Sequence, residues 1–231
     1  PSINVLGAND RINVAVIGPG GMGSGHVSTL ASEKDIRVAY VCDPDTQRQD
    51  KAAARVESLK GGTPKKVGDF RRILEDKDID AVFIATPDHW HAPATILACD
   101  AGKHVYVEKP ASHNLREGRL MIEAARRNKR VVQVGTQSRS ATHAKTAIDR
   151  IQAGAIGEVL VAKAWNSQRR RDIGKHKPTS PPENLDFDMW TGPAAWQPHQ
   201  QNLLHAVWRW WFNFGSGDMG NDGVHDIDIA R

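Results

Sequence analysis

The stretch Ile12-Asn13-Val14-Ala15-Val16-Ile17-Gly18-Pro19-Gly20-Gly21-Met22-Gly23 decides the fold. Its first half is short, apolar and β-branched, which reads as a strand. Its second half has the spacing G-x-G-x-x-G at 18, 20 and 23, and a helical pattern follows over Met22–Ser32. About twenty residues further on, where the motif wants an acid, the apolar run Val38–Cys42 ends at Asp43. Strand, glycine turn, helix, strand and acid in that order form the dinucleotide-binding fingerprint. Gly18 permits the tight turn, Gly20 lets the backbone approach a pyrophosphate, and Gly23 lets the helix pack closely on its strand. Gly21 and Met22 stand in the first helical turn, whose free N–H groups and positive dipole end suit phosphate. Asp43 suits a ribose 2′-hydroxyl and repels a 2′-phosphate, so NAD is expected rather than NADP. Arg48 has two readings, a contact to a 2′-phosphate or a place on a solvated helix face. The bland alternative for the whole motif is a strand-to-helix turn that binds nothing.

Working outward, short apolar runs alternate with helical patterns. Strands are expected at Ile12–Ile17, Val38–Cys42, Ala81–Ala85, His104–Val107 and Val131–Val134. Helices are expected at Met22–Ser32, Thr46–Leu59, Phe70–Glu75, Pro93–Asp100 and Leu115–Asn128, the last capped by Asn114. On that helix Leu115, Leu120, Met121, Ile122, Ala124 and Ala125 gather towards one face. Near-continuous apolar strands joined by helices predict an α/β protein with a doubly wound parallel sheet, buried on both faces. After residue 135 the pattern changes. A helix is expected at Thr142–Ile151, a strand at Gly157–Trp165, a loop at Arg169–Asp186, an aromatic-dense stretch from Trp190 to Phe214, and a helix within Asp222–Arg231. The division is then a linker at 1–10, a dinucleotide-binding domain at 11–135 and a further, incomplete domain at 136–231.

The 231 residues allow one large domain or two small ones, and 39% hydrophobic and 25% charged residues are ordinary for a globular chain. The net charge of +4 is spread along the sequence. The basic stretch from Arg169 to Lys177 is short and reads as a solvated loop, so no nucleic-acid partner is expected. Cys42 and Cys99 lack metal-ligand or redox spacing and read as small core residues. No apolar run has the length of a membrane span.

In open parallel sheets, sites lie beyond the carboxyl ends of the strands. Three such ends carry reactive residues: Thr86-Pro87-Asp88-His89-Trp90-His91, Glu108-Lys109-Pro110 and Gly135-Thr136-Gln137. Val-Glu-Lys-Pro admits a cis bond that would fix the direction of Lys109. Such a lysine can hydrogen-bond a substrate hydroxyl; alone, it reads as a surface lysine at a strand end. Further on, His225 and Asp228 share a helix face. A histidine there can relay a proton, with Asp228 orienting it. The same pair has metal-ligand chemistry or belongs to a capped, solvated helix; no metal is assigned.

Gly18–Gly23, Thr86-Pro87 with His91, Glu108-Lys109-Pro110 and Asn221-x-Gly223-x-His225-x-x-Asp228 occur in the order found in the Gfo/Idh/MocA oxidoreductases, and the chain resembles that family along essentially its whole length. The resemblance implies an N-terminal NAD(P)-binding Rossmann domain holding the cofactor through Gly18, Gly20, Gly21, Met22, Gly23, Asp43, Thr86, Pro87, His91, Glu108, Lys109 and Pro110. It implies a second α/β domain with an open, mostly antiparallel sheet carrying substrate and oligomer contacts. It also implies hydride transfer between a nicotinamide and a sugar, polyol or glycoside carbon. Lys109 and His225 would be catalytic, and Lys109, Asn221, His225 and Asp228 would meet substrate. Family members often carry an aspartate where Asn221 stands, which moves acid–base work onto His225. Most of the second sheet is missing from the sequence, so the chain reads as the front part of a longer, homo-oligomeric protein. Residues 1–10 resemble the region after a twin-arginine export signal, which implies a periplasmic location, with a cytoplasmic one as the alternative. Two further readings stand beside the dehydrogenase: a glycoside hydrolase using bound NAD by oxidation, elimination and hydration, and a non-catalytic nucleotide-binding module. Of the tryptophans, one or more could pack on a sugar ring, although most large aromatics are core.

Overall fold

The computed structural model describes residues 11–231; the linker expected at 1–10 lies outside them. Six parallel strands, β1 (Ile12–Ile17), β2 (Ile36–Cys42), β3 (Lys65–Val67), β4 (Ala81–Ile84), β5 (His104–Glu108) and β6 (Val132–Gly135), form one sheet in the order β3-β2-β1-β4-β5-β6. That is the doubly wound dinucleotide-binding order, with the switch point between β1 and β4. Helices α1 (Gly21–Ser32), α2 (Thr46–Ser58), α3 (Arg71–Leu74), α4 (Asp88–Asp100) and α5 (Leu115–Arg127) connect the strands.

The strands are apolar throughout because both faces are covered. Val14 and Val16 pack with Val38 and Val41 against Val27 and Leu30 of α1 and Ala52, Ala53 and Val56 of α2. The alternate residues Ala15 and Ile17 join Val82, Ile84, Val105 and Val107 on the other face, under α4 and α5. Cys42 and Cys99 are buried, unbridged core residues on that face, and burial pushes the Cys42 thiol well up.

Several expectations need correction. Strand β3 is additional; it is a polar edge strand whose lysines keep it from reading as apolar. Helix α4 begins at Asp88, before Pro93, because Pro87 supplies the fixed entry and the chain tolerates one absent N–H at Pro93. On α5 only Met121 and Ala124 are buried, while Leu115, Leu120 and Ile122 stay exposed, so the helix uses a narrow stripe against α4. Asn114 caps α5, accepting from the Glu117 N–H, while the Glu117 carboxylate accepts from the His113 N–H.

Beyond the sheet lie α6 (Thr142–Gln152), α7 (Phe187–Thr191) and α8 (Val224–Ala230), with a single π-helical turn at Met219–Gly223 leading into α8. Residues 157–165 form no strand among the described residues. Leu160 and Trp165 are exposed there, and no neighbouring segment supplies the N–H and C=O partners that a strand needs. A third core of Leu185, Trp190, Leu203, Trp208 and Phe214 gathers the aromatic-dense stretch. It is tied to the sheet domain at two places. The segment Asn184–Asp186 docks on the corner after β2, where Thr46 donates to the Asn184 carbonyl and Asp186 to that of Pro44, each at 3.0 Å. The first turn of α4 makes the other junction, with the Trp90 indole donating to the Trp190 carbonyl at 3.1 Å.

Candidate functional site

A cleft runs over the carboxyl ends of β1, β2, β4 and β5, as the topology requires. Gly18, Gly20, Gly21, Met22, Asp43, Thr86, Pro87, His91, Glu108, Lys109 and Asn221 all line it. Gly18 sits at φ +78°, and a Cβ there would lie 2.8 Å from the backbone of Ala85 and Thr86. A Cβ on Gly23 would lie 2.0 Å from the Gly18 carbonyl, so the helix packs directly on the turn. Helix α1 has Gly20 as its N-cap, without a capping side chain, which leaves its first turn open to an anion.

Arg48 lies in this cleft rather than on a solvated helix face. Its guanidinium occupies the space above Gly20, where a Cβ would meet Nη1 at 1.7 Å. Asp43 is buried, and desolvation raises its pKa to about 6 against the lowering effects of the Asp45 N–H and of Arg48. Among the described residues only one of its carboxylate oxygens is engaged, accepting from the Asp45 N–H at 3.0 Å. Asp45 in turn caps α2 through the Gln47 N–H and meets His205 at 3.2 Å.

At the far end, Glu108 accepts from His26 Nε2 at 2.8 Å and from the Lys109 N–H at 3.2 Å. Burial works to raise its pKa, but the His26 contact and the Lys109 N–H outweigh it and hold the carboxylate below its ordinary value. The Lys109–Pro110 bond is cis. The partly buried Lys109 ammonium donates to the Asn221 carbonyl, and burial lowers its pKa. Thr86 Oγ1 is buried and has no partner among the described residues. His91 lines the cleft beside Thr86 and Pro87. Its ring nitrogens lie 2.6 Å from the Pro110 carbonyl and 2.9 Å from that of Thr86, so the ring ties the two loops together.

The tail is only partly gathered in. Asn221 reaches the cleft, its side-chain oxygen accepting from Arg209 Nε at 2.8 Å. His225, one turn on, is not among the cleft-lining residues, and its Nδ1 is buried without a partner among the described residues. Asp228 does not orient His225. Its carboxylate accepts from Arg139 Nε at 2.7 Å, a charge-assisted bond to the facing guanidinium. Trp190 and Trp208 are core residues that also border the cleft, whereas Trp196 is exposed. Arg209, His205 and Asp88 also line the cleft and were absent from the expected site. The Trp208-Arg209-Trp210 run was the available signal for the first: a cation between large aromatics in a stretch already marked as unusual. Among the described residues there is no group of three or more His, Cys, Asp or Glu that could hold a metal ion, and no helix long and apolar enough to cross a membrane.

Levoglucosan dehydrogenase from Pseudarthrobacter phenanthrenivorans is 28% identical over 96% of this chain and 50% of its own length. A solved structure of levoglucosan dehydrogenase with NADH and levoglucosan superposes with a TM-score of 0.68 at 27% identity, covering 96% of this chain and 53% of that one. A glycosyl hydrolase family 109 protein from Shewanella pealeana is 29% identical over 67% of this chain and 35% of its own length. The chain thus spans half or less of the length of these curated relatives. Residues 12–136 match the family model described as oxidoreductase family, NAD-binding Rossmann fold, and residues 163–231 match the model of the C-terminal alpha/beta domain. The chain belongs to the Gfo/Idh/MocA oxidoreductase family.

Proposed function

We propose that this chain serves hydride transfer between NAD and a hydroxyl-bearing carbon of a sugar, polyol or glycoside. The observation that carries the reading is one cleft holding the glycine turn and Asp43 at one end and a partly buried lysine, Lys109, at the other. The residues fit the cofactor. The turn would be blocked by a Cβ at Gly18, and among the described residues one Asp43 carboxylate oxygen is free for a ribose hydroxyl. Asp43 favours NAD over NADP, and the first turn of α1 with Arg48 would hold the phosphates. Bound NAD supplies the hydride acceptor.

The chain's own residues would do the rest. Lys109, with its pKa lowered by burial, sheds its proton more readily than a free lysine and can polarise or accept the proton of a substrate hydroxyl. Asn221 fixes the lysine through its backbone carbonyl, and its side-chain amide, held by Arg209 and Asp222, borders the substrate space. His225, whose Nδ1 lacks a partner among the described residues, is the second candidate for proton transfer. Residues 11–135 would be the cofactor domain and 136–231 part of the substrate and oligomer domain, a division supported by the two family-model matches.

The test is absorbance at the NADH band with NAD and a panel of sugars, polyols and glycosides, for this chain and for Lys109→Met. NADH accumulation that the variant loses while still binding NADH supports the reading. Aglycone release from a glycoside without NADH accumulation would favour the hydrolase, a reading to which the family 109 relative gives weight. Silence from a folded, NADH-binding chain would leave the non-catalytic module.

A further inference from the structure

We propose that the substrate is an anionic sugar, bearing a carboxylate or a phosphate that Arg209 receives. This rests on the reading of the cleft as a sugar dehydrogenase site and names its substrate class.

Lys109 and Arg209 line the same cleft, both partly buried, and both donate to Asn221. Among the described residues, neither is paired with a carboxylate within ion-pair distance, although Arg139, Arg170 and the exposed Lys66 all are. The acids around them are engaged elsewhere. Glu108 accepts from His26, Asp88 from the N–H and hydroxyl of Ser216, and Asp222 from Arg170 and the Asn221 amide. Asn221 meets Lys109 through its backbone carbonyl and Arg209 through its side-chain oxygen, and carries no charge to offset them. Partly desolvated cations are usually paired. Asp88 and Asp222 attract both cations, and Glu108 attracts Lys109, only from beyond ion-pair distance, so among the described residues neither cation has a direct carboxylate partner.

Arg209 is also presented for recognition. Its guanidinium lies over the Trp208 ring, 4.5 Å from the ring centre, a cation–π contact that helps hold it in place. Nε is held by Asn221 and one terminal nitrogen by the Ala206 carbonyl at 3.0 Å, while the other has no acceptor among the described residues. A planar guanidinium with free N–H groups matches the oxygens of a carboxylate or phosphate. Arg209 also borders an adjoining hollow with His113, Trp210, Phe212 and Ser216, which gives room for a substituent beyond the reacting carbon. Burial lowers the pKa of both cations against the raising effect of Asp88 and Asp222 and, for Lys109, of Glu108.

Calorimetric titration of the chain with D-glucuronate, D-glucose 6-phosphate and D-glucose, with and without NADH, tests this. One or both anions should bind at least ten-fold more tightly than glucose; tight binding of only the uronate or only the ester identifies the carboxylate or the phosphate as the recognised group. Arg209→Gln should reduce that preference at least ten-fold and Arg209→Lys should keep part of it. Arg171→Gln, exposed and outside the cleft, should keep all of it. Equal affinity for the three ligands overturns the proposal, as does a preference that survives in folded Arg209→Gln. NADH affinity is read in the same titrations. Its absence would count against the dehydrogenase reading, while the nucleotide-free titrations still decide the charge preference.

Discussion

The Asp88 carboxylate accepts from both the backbone N–H and the hydroxyl of Ser216, at 3.0 and 2.6 Å. It thereby joins the first turn of α4 to the loop that carries Asn221 towards Lys109. Removing it leaves the N–H and hydroxyl of Ser216 without their acceptor in a partly buried junction. Asp88→Ala should therefore cost about 3–6 kcal/mol, the sum of two charge-assisted bonds. Urea unfolding monitored by tryptophan emission measures this, since Trp190 and Trp208 lie in the layer that the contact docks. A loss below about 0.5 kcal/mol would show that the junction is held elsewhere.

His89 is the next residue of that junction, its ring nitrogens 3.1 Å from the Trp190 carbonyl and 3.4 Å from that of Phe214. Burial pushes its pKa down to about 4 from 6.5. The folded value lies below the unfolded one, so its contribution to stability is complete above pH 6.5 and is lost as pH falls towards 4. The shift corresponds to at most about 3 kcal/mol. His89→Gln should remove that acid sensitivity, flattening the difference in unfolding free energy between pH 7 and pH 4.5 relative to the unsubstituted chain.

Asp43 acts in the opposite sense. Its pKa rises from 3.8 to about 6, so the fold prefers the protonated form, and stability falls as pH rises between those values. Across pH 4–6 the two groups oppose one another, and the unsubstituted chain should show a weak net dependence from them. Asp43→Asn should stabilise the chain at pH 8 by about 1–3 kcal/mol, with the gain gone at pH 4. It should also weaken NADH binding at pH 8, because the charged acceptor for a ribose hydroxyl is lost. Melting temperatures and NADH titrations at the two pH values check both halves; a variant destabilised at pH 8 would contradict the burial argument.

The parallel sheet was legible because β1, β2, β4 and β5 are buried on both faces and so read as unbroken apolar runs. Strand β3 was not, since an edge strand of Lys65-Lys66-Val67 buries too little to leave that pattern. The glycine turn and Lys109 were legible because local geometry fixes residue type at each. Arg209 and the Asp228–Arg139 pair were not. Each depends on a contact between residues distant in sequence, 12 apart for Arg209 and Asn221 and 89 for Arg139 and Asp228. Periodicity carries no information about such pairs. The spacing of His225 and Asp228 placed them correctly on one helix, yet said nothing of the guanidinium that claims the aspartate. The segment 157–165 shows the same limit: its composition suits a strand, but pairing needs a partner that the described chain does not place beside it.

The glycines at the turn should separate into graded classes when each is replaced by alanine. Gly18 combines φ +78° with three backbone atoms at 2.8 Å, none of which can yield without moving β4 or its loop. Gly23 meets the Gly18 carbonyl at 2.0 Å and forces α1 away from β1. Either substitution should cost about 3 kcal/mol or more, as overpacking against fixed backbone does. At Gly20 the obstacle is the flexible end of Arg48, 1.7 Å away, so the guanidinium should swing aside at little cost to the fold. The NADH site would then lose a cation, and affinity should fall while the melting temperature changes little. Gly21 has nothing within 4 Å and begins α1, so alanine there should be neutral or stabilising by up to about 1 kcal/mol through helix propensity. Thermal melts of the four variants give the fold ranking, and NADH titrations separate Gly20→Ala from Gly21→Ala. Equal destabilisation by Gly18→Ala and Gly21→Ala would mean that the turn is not packed as described.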